Sequence, residues 1–135
     1  MSATLAQALA STLADAVTTA IDGGGAAGTL AVYTGTKPDT VEDAATGTLL
    51  ATFTLPDPVA TAAVDGVATW NLATAVTTGT VAGGTPGWFR VSDSTGAAVF
   101  DGTVGEGEDL VFDVTVWVAG ATVALTGGTT TQRTQ

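Results

Sequence analysis

The 135-residue chain contains no cysteine and no histidine. Disulfides are excluded by the first absence, and catalytic pairs or triads that need an imidazole or a thiolate by the two together. The side chains that most often hold structural zinc, haem and iron–sulfur clusters are missing for the same reason. Positive charge is also scarce: three Lys and Arg stand against thirteen Asp and Glu, a net charge of −10. Proteins that track phosphates or anionic headgroups need a positive face, so neither nucleic acid nor a membrane is an expected partner. Aromatic residues make up 6% of the chain, and no apolar run reaches the roughly 18 residues that suggest a spanning helix. The first residues lack the basic opening of a secretion signal, so a soluble product made in the cytoplasm is expected.

Ala, Thr, Gly and Val dominate what is present. Most of the 45% hydrophobic content is Ala and Val, so any core is built largely from small side chains. A chain of this length suits a single domain.

Between positions 3 and 21, Leu5, Leu9, Leu13, Val17 and Ile21 recur every four residues, with Ala6, Ala10, Ala16 and Ala20 beside them. That spacing predicts an amphipathic helix. Ser2 is its expected N-cap, and Gly23, Gly24 and Gly25 end it, because glycine enters a left-handed C-terminal cap without strain. The helix and its glycine-rich linker are assigned to residues 1–25. From Thr29 the pattern changes to period two, with β-branched and aromatic runs separated by turn residues. Strands are expected near Thr29–Thr34, Thr48–Leu55, Val67–Leu72, Trp88–Ser92, Ala97–Thr103, Leu110–Val118 and Thr122–Thr126. Alternation puts Leu49, Ala51, Phe53 and Leu55 on one core face, and Leu110, Phe112, Val114, Val116 and Val118 on another. Asp65-Gly66 reads as a tight hairpin, Asp93-Ser94-Thr95-Gly96 as a four-residue turn and Ala119-Gly120 as a further reversal. Pro56 and Pro58 stop the second strand.

The expected fold is therefore mainly β: an antiparallel β-sandwich, jelly-roll-like or Ig-like, over residues 26–126, carrying one short N-terminal α-helix. Residues 127–135 have no large apolar side chain to bury and are expected to form a flexible tail.

Candidate chemistry is thin. Glu106, Glu108 and Asp109 lie in a glycine-rich turn of the kind calcium can use, but they lack EF-hand spacing, and a solvated acidic turn is expected. Asp39, Glu42 and Asp43 follow Lys37-Pro38; glycoside hydrolysis needs two carboxyls facing across a cleft, and three acids in one short loop point to solubility. The three-glycine run carries no Gly-Lys-Ser/Thr ending and is no phosphate loop. No catalytic, metal or cofactor-binding residue is expected. Trp88 and Arg90 share one face of their strand while Phe89 and Val91 face inward, and Trp and Arg are enriched in interface hot spots. Asp101, one strand later, could instead pair with Arg90 and make it structural. The candidate interface residues are Leu5, Leu9, Leu13, Trp88 and Arg90.

Four segments carry a resemblance: Gly28-Thr-Leu-Ala-Val-Tyr-Thr-Gly-Thr-Lys-Pro38, Gly47-Thr-Leu-Leu-Ala-Thr-Phe53, Gly87-Trp-Phe-Arg-Val-Ser-Asp93 and Val99-Phe-Asp-Gly-Thr-Val-Gly105. In order and motif the chain resembles a family of small tailed-bacteriophage and prophage virion proteins. The resemblance implies a structural, non-enzymatic virion component present in the host cytoplasm during assembly, most simply a capsid decoration or cement protein on the outer head surface. Its implied partners are the major capsid protein or other virion proteins, together with further copies of itself. A tail-tip or fibre-associated adaptor for host attachment is the alternative, and a carbohydrate-binding module a remote one.

Overall fold

A computed structural model describes residues 6–70, 76–77, 82–105, 116–120, 123–125 and 129–131. It contains one α-helix, α1 (Gln7–Ile21), a short 3-10 turn (Gly23–Gly25), and the strands β1 (Thr29–Tyr33), β2 (Leu49–Thr54), β3 (Val67–Thr69), β4 (Val76–Thr77), β5 (Trp88–Ser92), β6 (Ala98–Thr103), β7 (Ala124–Leu125) and β8 (Thr129–Thr131). The fold is mixed α/β with more strand than helix. Its centre is a four-stranded antiparallel sheet in the order β2-β1-β5-β6, and β3-β8 and β4-β7 form two further antiparallel ribbons. Among the described residues these sheets do not close into a barrel or a demonstrated sandwich. The helix begins at Gln7 behind an extended Ala6 that offers no side-chain cap, so its N-cap is Ala6 and not the expected Ser2, because the leucine spacing extends back to Leu5, before the point where the backbone turns helical. Ser2 itself and the segment Leu110–Thr115 lie outside the described residues.

The register explains the core. Leu30 lies between Phe53 and Val91, and Val32 between Ala51 and Phe89, so these six side chains share one face of the sheet. All six are buried, and Ile21, Leu50, Leu55, Val59 and Trp117 pack over them. Fully burying a side chain such as Leu30 or Phe53 is worth about 1.5–3 kcal/mol each.

Two local phases differ from simple alternation. Tyr33 pairs with Leu49 while Val32 pairs with Ala51, so Leu50 is an extra residue in β2. This bulge turns Leu50 into the core and leaves Leu49 exposed, since one inserted residue inverts the side-chain phase. Near the C-terminal side, Trp117 is buried, whereas Val116 and Val118 are exposed. The alternation is kept but its faces are exchanged, because an indole removes far more apolar surface from water than a valine does. The residue is held by a two-way bridge to Gly84, with N–H to O distances of 2.9 and 2.7 Å.

The helix also turns differently from its leucine row. Ala10, Ala14, Thr18 and Ile21 are its buried residues, and it packs against β3, β8 and β6. Small side chains on that face let the helix approach the strands closely. Backbone N–H groups of the crossing segment 59–66 are in turn received by helix side chains: Val59 donates to Asp22 Oδ1 at 2.9 Å, Ala63 to Asp15 Oδ1 at 2.7 Å and Gly66 to Ser11 Oγ at 3.0 Å. This satisfies backbone donors of a segment that has little ladder pairing of its own.

The Asp65-Gly66 hairpin forms as expected: Val64 and Val67 exchange two 2.9 Å hydrogen bonds, and both turn residues have positive φ, 53° and 82°. That is the type I′ conformation suited to strand twist. Part of the expected tail is structured, because Thr129–Thr131 pairs with Val67–Thr69. A run of threonines needs no large apolar side chain to add an edge strand, since β-branching and main-chain hydrogen bonds suffice.

Candidate functional site

The sheet face opposite the core carries the conspicuous side-chain cluster. Tyr33 pairs with Trp88, and Ala31 with Arg90, which pairs in turn with Asp101. Alternation therefore brings Tyr33, Trp88, Arg90 and Asp101 to one side. The Tyr33 and Trp88 rings stack with centroids 4.6 Å apart and planes 14° from parallel. The Arg90 guanidinium lies 5.4 Å from the centre of the Trp88 ring, within cation–π range. Its Nε and Nη2 donate to the two carboxylate oxygens of Asp101 at 2.7 and 2.8 Å. Such a two-pronged pair is the strongest geometry available to arginine. The hydrogen bonding that Arg90 donates to Asp101 is the main influence that raises the Arg90 pKa above its ordinary value, so the guanidinium stays charged.

The cluster is largely shielded from solvent, with Tyr33 partly buried at its end. Trp88 is fully buried, and the side chains of Arg90 and Asp101 are 12% and 5% exposed. The chain between β1 and β2 is tied over it where Trp88 Nε1–H donates to the Thr46 carbonyl at 3.2 Å. Trp88 and Arg90 are therefore internal organisers of the sheet. The Arg90–Asp101 pairing that the sequence permits is the arrangement present, and this face offers no open carboxylate or guanidinium to a ligand.

Three glycines of the resemblance segments, Gly35, Gly47 and Gly87, gather at the same end. Gly87 donates to the Tyr33 carbonyl at 2.8 Å, and a Cβ on Gly87 would collide with the Gly35 carbonyl oxygen. Gly47, at φ 80°, sits against the Thr34 carbonyl in the same way. The Tyr-Thr-Gly, Gly-Thr-Leu and Gly-Trp-Phe segments thus meet, backbone against backbone, as determinants of the fold.

Leu9 and Leu13 are 47% and 38% exposed on α1. They are the candidate contact residues that the structure leaves on the surface; Leu5 lies outside the described residues. Asp39, Glu42 and Asp43 are exposed, and Asp43 closes a small turn by accepting from the Thr40 N–H at 3.3 Å. The acidic turn at 106–109 lies outside the described residues. Among the described residues no group of three or more acidic, histidine or cysteine side chains is placed to hold a metal ion. No described helix is long and apolar enough to cross a membrane.

Sequence reasoning missed the polar edge of α1. Ser11, Asp15 and Asp22 are spaced by four and seven residues, a helical spacing that was legible as a second stripe. It also missed Asp93 as the keystone of its turn, where Oδ1 accepts from the Thr95 N–H at 2.8 Å, the Thr95 hydroxyl at 2.7 Å and the Ala97 N–H at 3.1 Å. The Thr95 hydroxyl is the main cause that holds the Asp93 carboxyl below the ordinary aspartate value. A lowered folded pKa stabilises the turn above the ordinary aspartate range, and the gain is lost as pH falls through the lowered value. In an NMR titration the Thr95 and Ala97 amide resonances should therefore hold until pH drops below the ordinary aspartate range. Movement at or above that range would show that the carboxylate does not organise the turn.

Comparison with protein-family models, with curated proteins and with solved structures finds no match to this chain.

Proposed function

We propose that this chain is a structural component of a tailed-phage virion, a decoration or cement protein that binds the outer head surface in several copies. In this reading the four-stranded sheet is one layer of an antiparallel β-sandwich that serves as a rigid peg, and the major capsid protein is the partner. The observation that carries the proposal is the exposed Leu9–Leu13 row on a helix otherwise well seated on its own domain. An apolar row left in water on one side of a firmly held element is what a lattice contact requires. The closed Arg90–Asp101 cluster supports a structural role, since the most distinctive polar side chains are spent internally. An acidic surface disfavours sticking to packaged DNA. The adaptor reading calls for an exposed aromatic patch, yet Trp88 and Trp117 are buried.

The test is made on purified particles. Heads carrying the protein should resist heating that bursts heads lacking it, and quantification should return hundreds of copies per particle, as an icosahedral lattice imposes. Equal heat resistance would remove cementing, and a copy number of three to about a dozen would move the protein to the tail.

A further inference from the structure

Aspartate followed by glycine is the main-chain step most open to self-modification, because glycine has no side chain to hinder its own nitrogen. In this reaction the glycine nitrogen attacks the protonated side-chain carboxyl of the aspartate before it. A C–N bond forms, the amide proton and the carboxyl OH leave as water, and a five-membered succinimide results. Water then adds back. Opening at the backbone carbonyl breaks the original peptide C–N bond, so that the chain runs through the side chain as isoaspartate. The atoms balance with no oxidant and no reactant besides water.

The sequence holds three such steps, Asp22-Gly23, Asp65-Gly66 and Asp101-Gly102, and the fold treats them differently. Asp101 is gripped through both carboxylate oxygens by Arg90, and Gly102 pairs with Phe89 inside the sheet. The Asp22 carboxylate receives the Val59 N–H at 2.9 Å, beside a fully buried Val59 side chain. Reaction at either place requires a structural contact of the carboxylate to break first. Asp65 is exposed at the tip of its hairpin, where its carboxyl meets water. Here it is the attacking atom that is held: the Gly66 N–H donates to Ser11 Oγ of α1 at 3.0 Å. The Val64–Val67 hydrogen bonds close the turn behind it. Attack requires the Gly66 N–H to leave the helix and the turn to open, a local event that leaves the core packed.

We infer that Asp65-Gly66 is the chain's site of isoaspartate formation, and that Ser11 sets its rate by holding the Gly66 N–H. The product carries an extra methylene in the main chain of a two-residue turn that needs positive φ at both positions, next to the seat of α1 on β3. The inference goes beyond the virion reading and does not depend on it, since the reaction needs only the chain and water.

The test incubates the purified full chain at mildly acidic pH, where carboxyls begin to be protonated, and locates isoaspartate by electron-transfer fragmentation of its peptides. Folded wild type should accumulate it at Asp65 ahead of Asp22 and Asp101, whereas the chain unfolded in guanidinium should form it at all three. Ser11→Ala should speed the reaction at Asp65 by about 2- to 12-fold, the rise in open population that losing one neutral hydrogen bond brings. Ser11→Thr, which keeps the hydroxyl, should stay near the wild-type rate. The other two steps gauge general loosening, and in Ser11→Ala they should keep their wild-type rates. Four results would overturn the inference: folded wild type unmodified at Asp65, equal modification at Asp22 or Asp101, a Ser11→Ala variant at the wild-type rate, or one accelerated at all three steps alike. None of them bears on whether the protein occupies a virion, which the particle experiment decides.

Discussion

Replacing Trp88 with alanine is expected to cost about 3–5 kcal/mol of folding stability, the range for truncating a large aromatic in a packed interior. Three losses combine at this position. The ring is fully buried, so its removal leaves a void. Its stack on Tyr33 and its place beneath Arg90 disappear together. The Thr46 carbonyl also loses its indole donor, which removes the tie between β5 and the connection from β1 to β2. Trp88→Phe keeps a ring on Tyr33 and gives up the N–H, so it should cost less, with about 0.5–1.5 kcal/mol assigned to the lost hydrogen bond, since Thr46 is exposed and water can take its carbonyl. Urea unfolding measures both variants. If Trp88→Ala lost under 1 kcal/mol, other contacts would be holding the loop and the proposed organising role of Trp88 would be wrong. Against a typical domain stability of about 5–15 kcal/mol, the expected loss is a large fraction of the whole.

Asp101→Ala should be comparably damaging, at about 3–5 kcal/mol, because it strands a guanidinium that is largely shielded from water. The pair itself is a weaker source of stability than this figure suggests. Desolvating both ions offsets much of their attraction, so the double change Arg90→Met, Asp101→Leu should recover most of the loss. Comparing unfolding midpoints of the two single variants and the double variant separates these effects. If the double variant were as unstable as the singles combined, the pair would be a net stabiliser. The contribution of the pair itself, read from the double-mutant cycle, should change little with salt, since ions screen buried pairs far less than exposed ones.

Legibility in the sequence followed the range of the interaction involved. The hairpin at Asp65-Gly66 is a matter of two adjacent backbones, and β5 has turn residues at both ends with clean alternation between them. Both were readable from local chemistry. The inward Phe89 and Val91, and the pairing of Arg90 with Asp101, followed from period two and a neighbouring strand. Other features depended on distant partners. Nothing near Leu50 announces a bulge, which arises from how β2 meets β1. Alternation around Trp117 is visible, but it has two phases of equal regularity, and only the tertiary environment chooses the one that buries the indole. The helix presented a leucine row and an alanine row. Hydrophobicity favours burying leucine, whereas the close seat on β3 and β8 accepts alanine. Thr129–Thr131 looked like tail for want of apolar bulk, yet edge pairing draws on main-chain groups that every residue carries. The contact residues were legible to the extent that Leu9 and Leu13 reached the surface, while Trp88 and Arg90 were absorbed by the fold.

The order of strands also has a kinetic consequence. β1 lies in the middle of the sheet, with β2 on one side and β5 on the other. β2 follows it after the connection at positions 34–48, but β5 arrives only after β3 and β4 have been made. Long loop closures of this kind slow folding. Until β5 docks, one edge of β1 is open, with Leu30 and Val32 beside it, and an open apolar edge is a template for pairing with another chain. During synthesis, then, the growing protein passes through an interval in which its future centre is its stickiest border. A chain cut short before Trp88 would remain in that state.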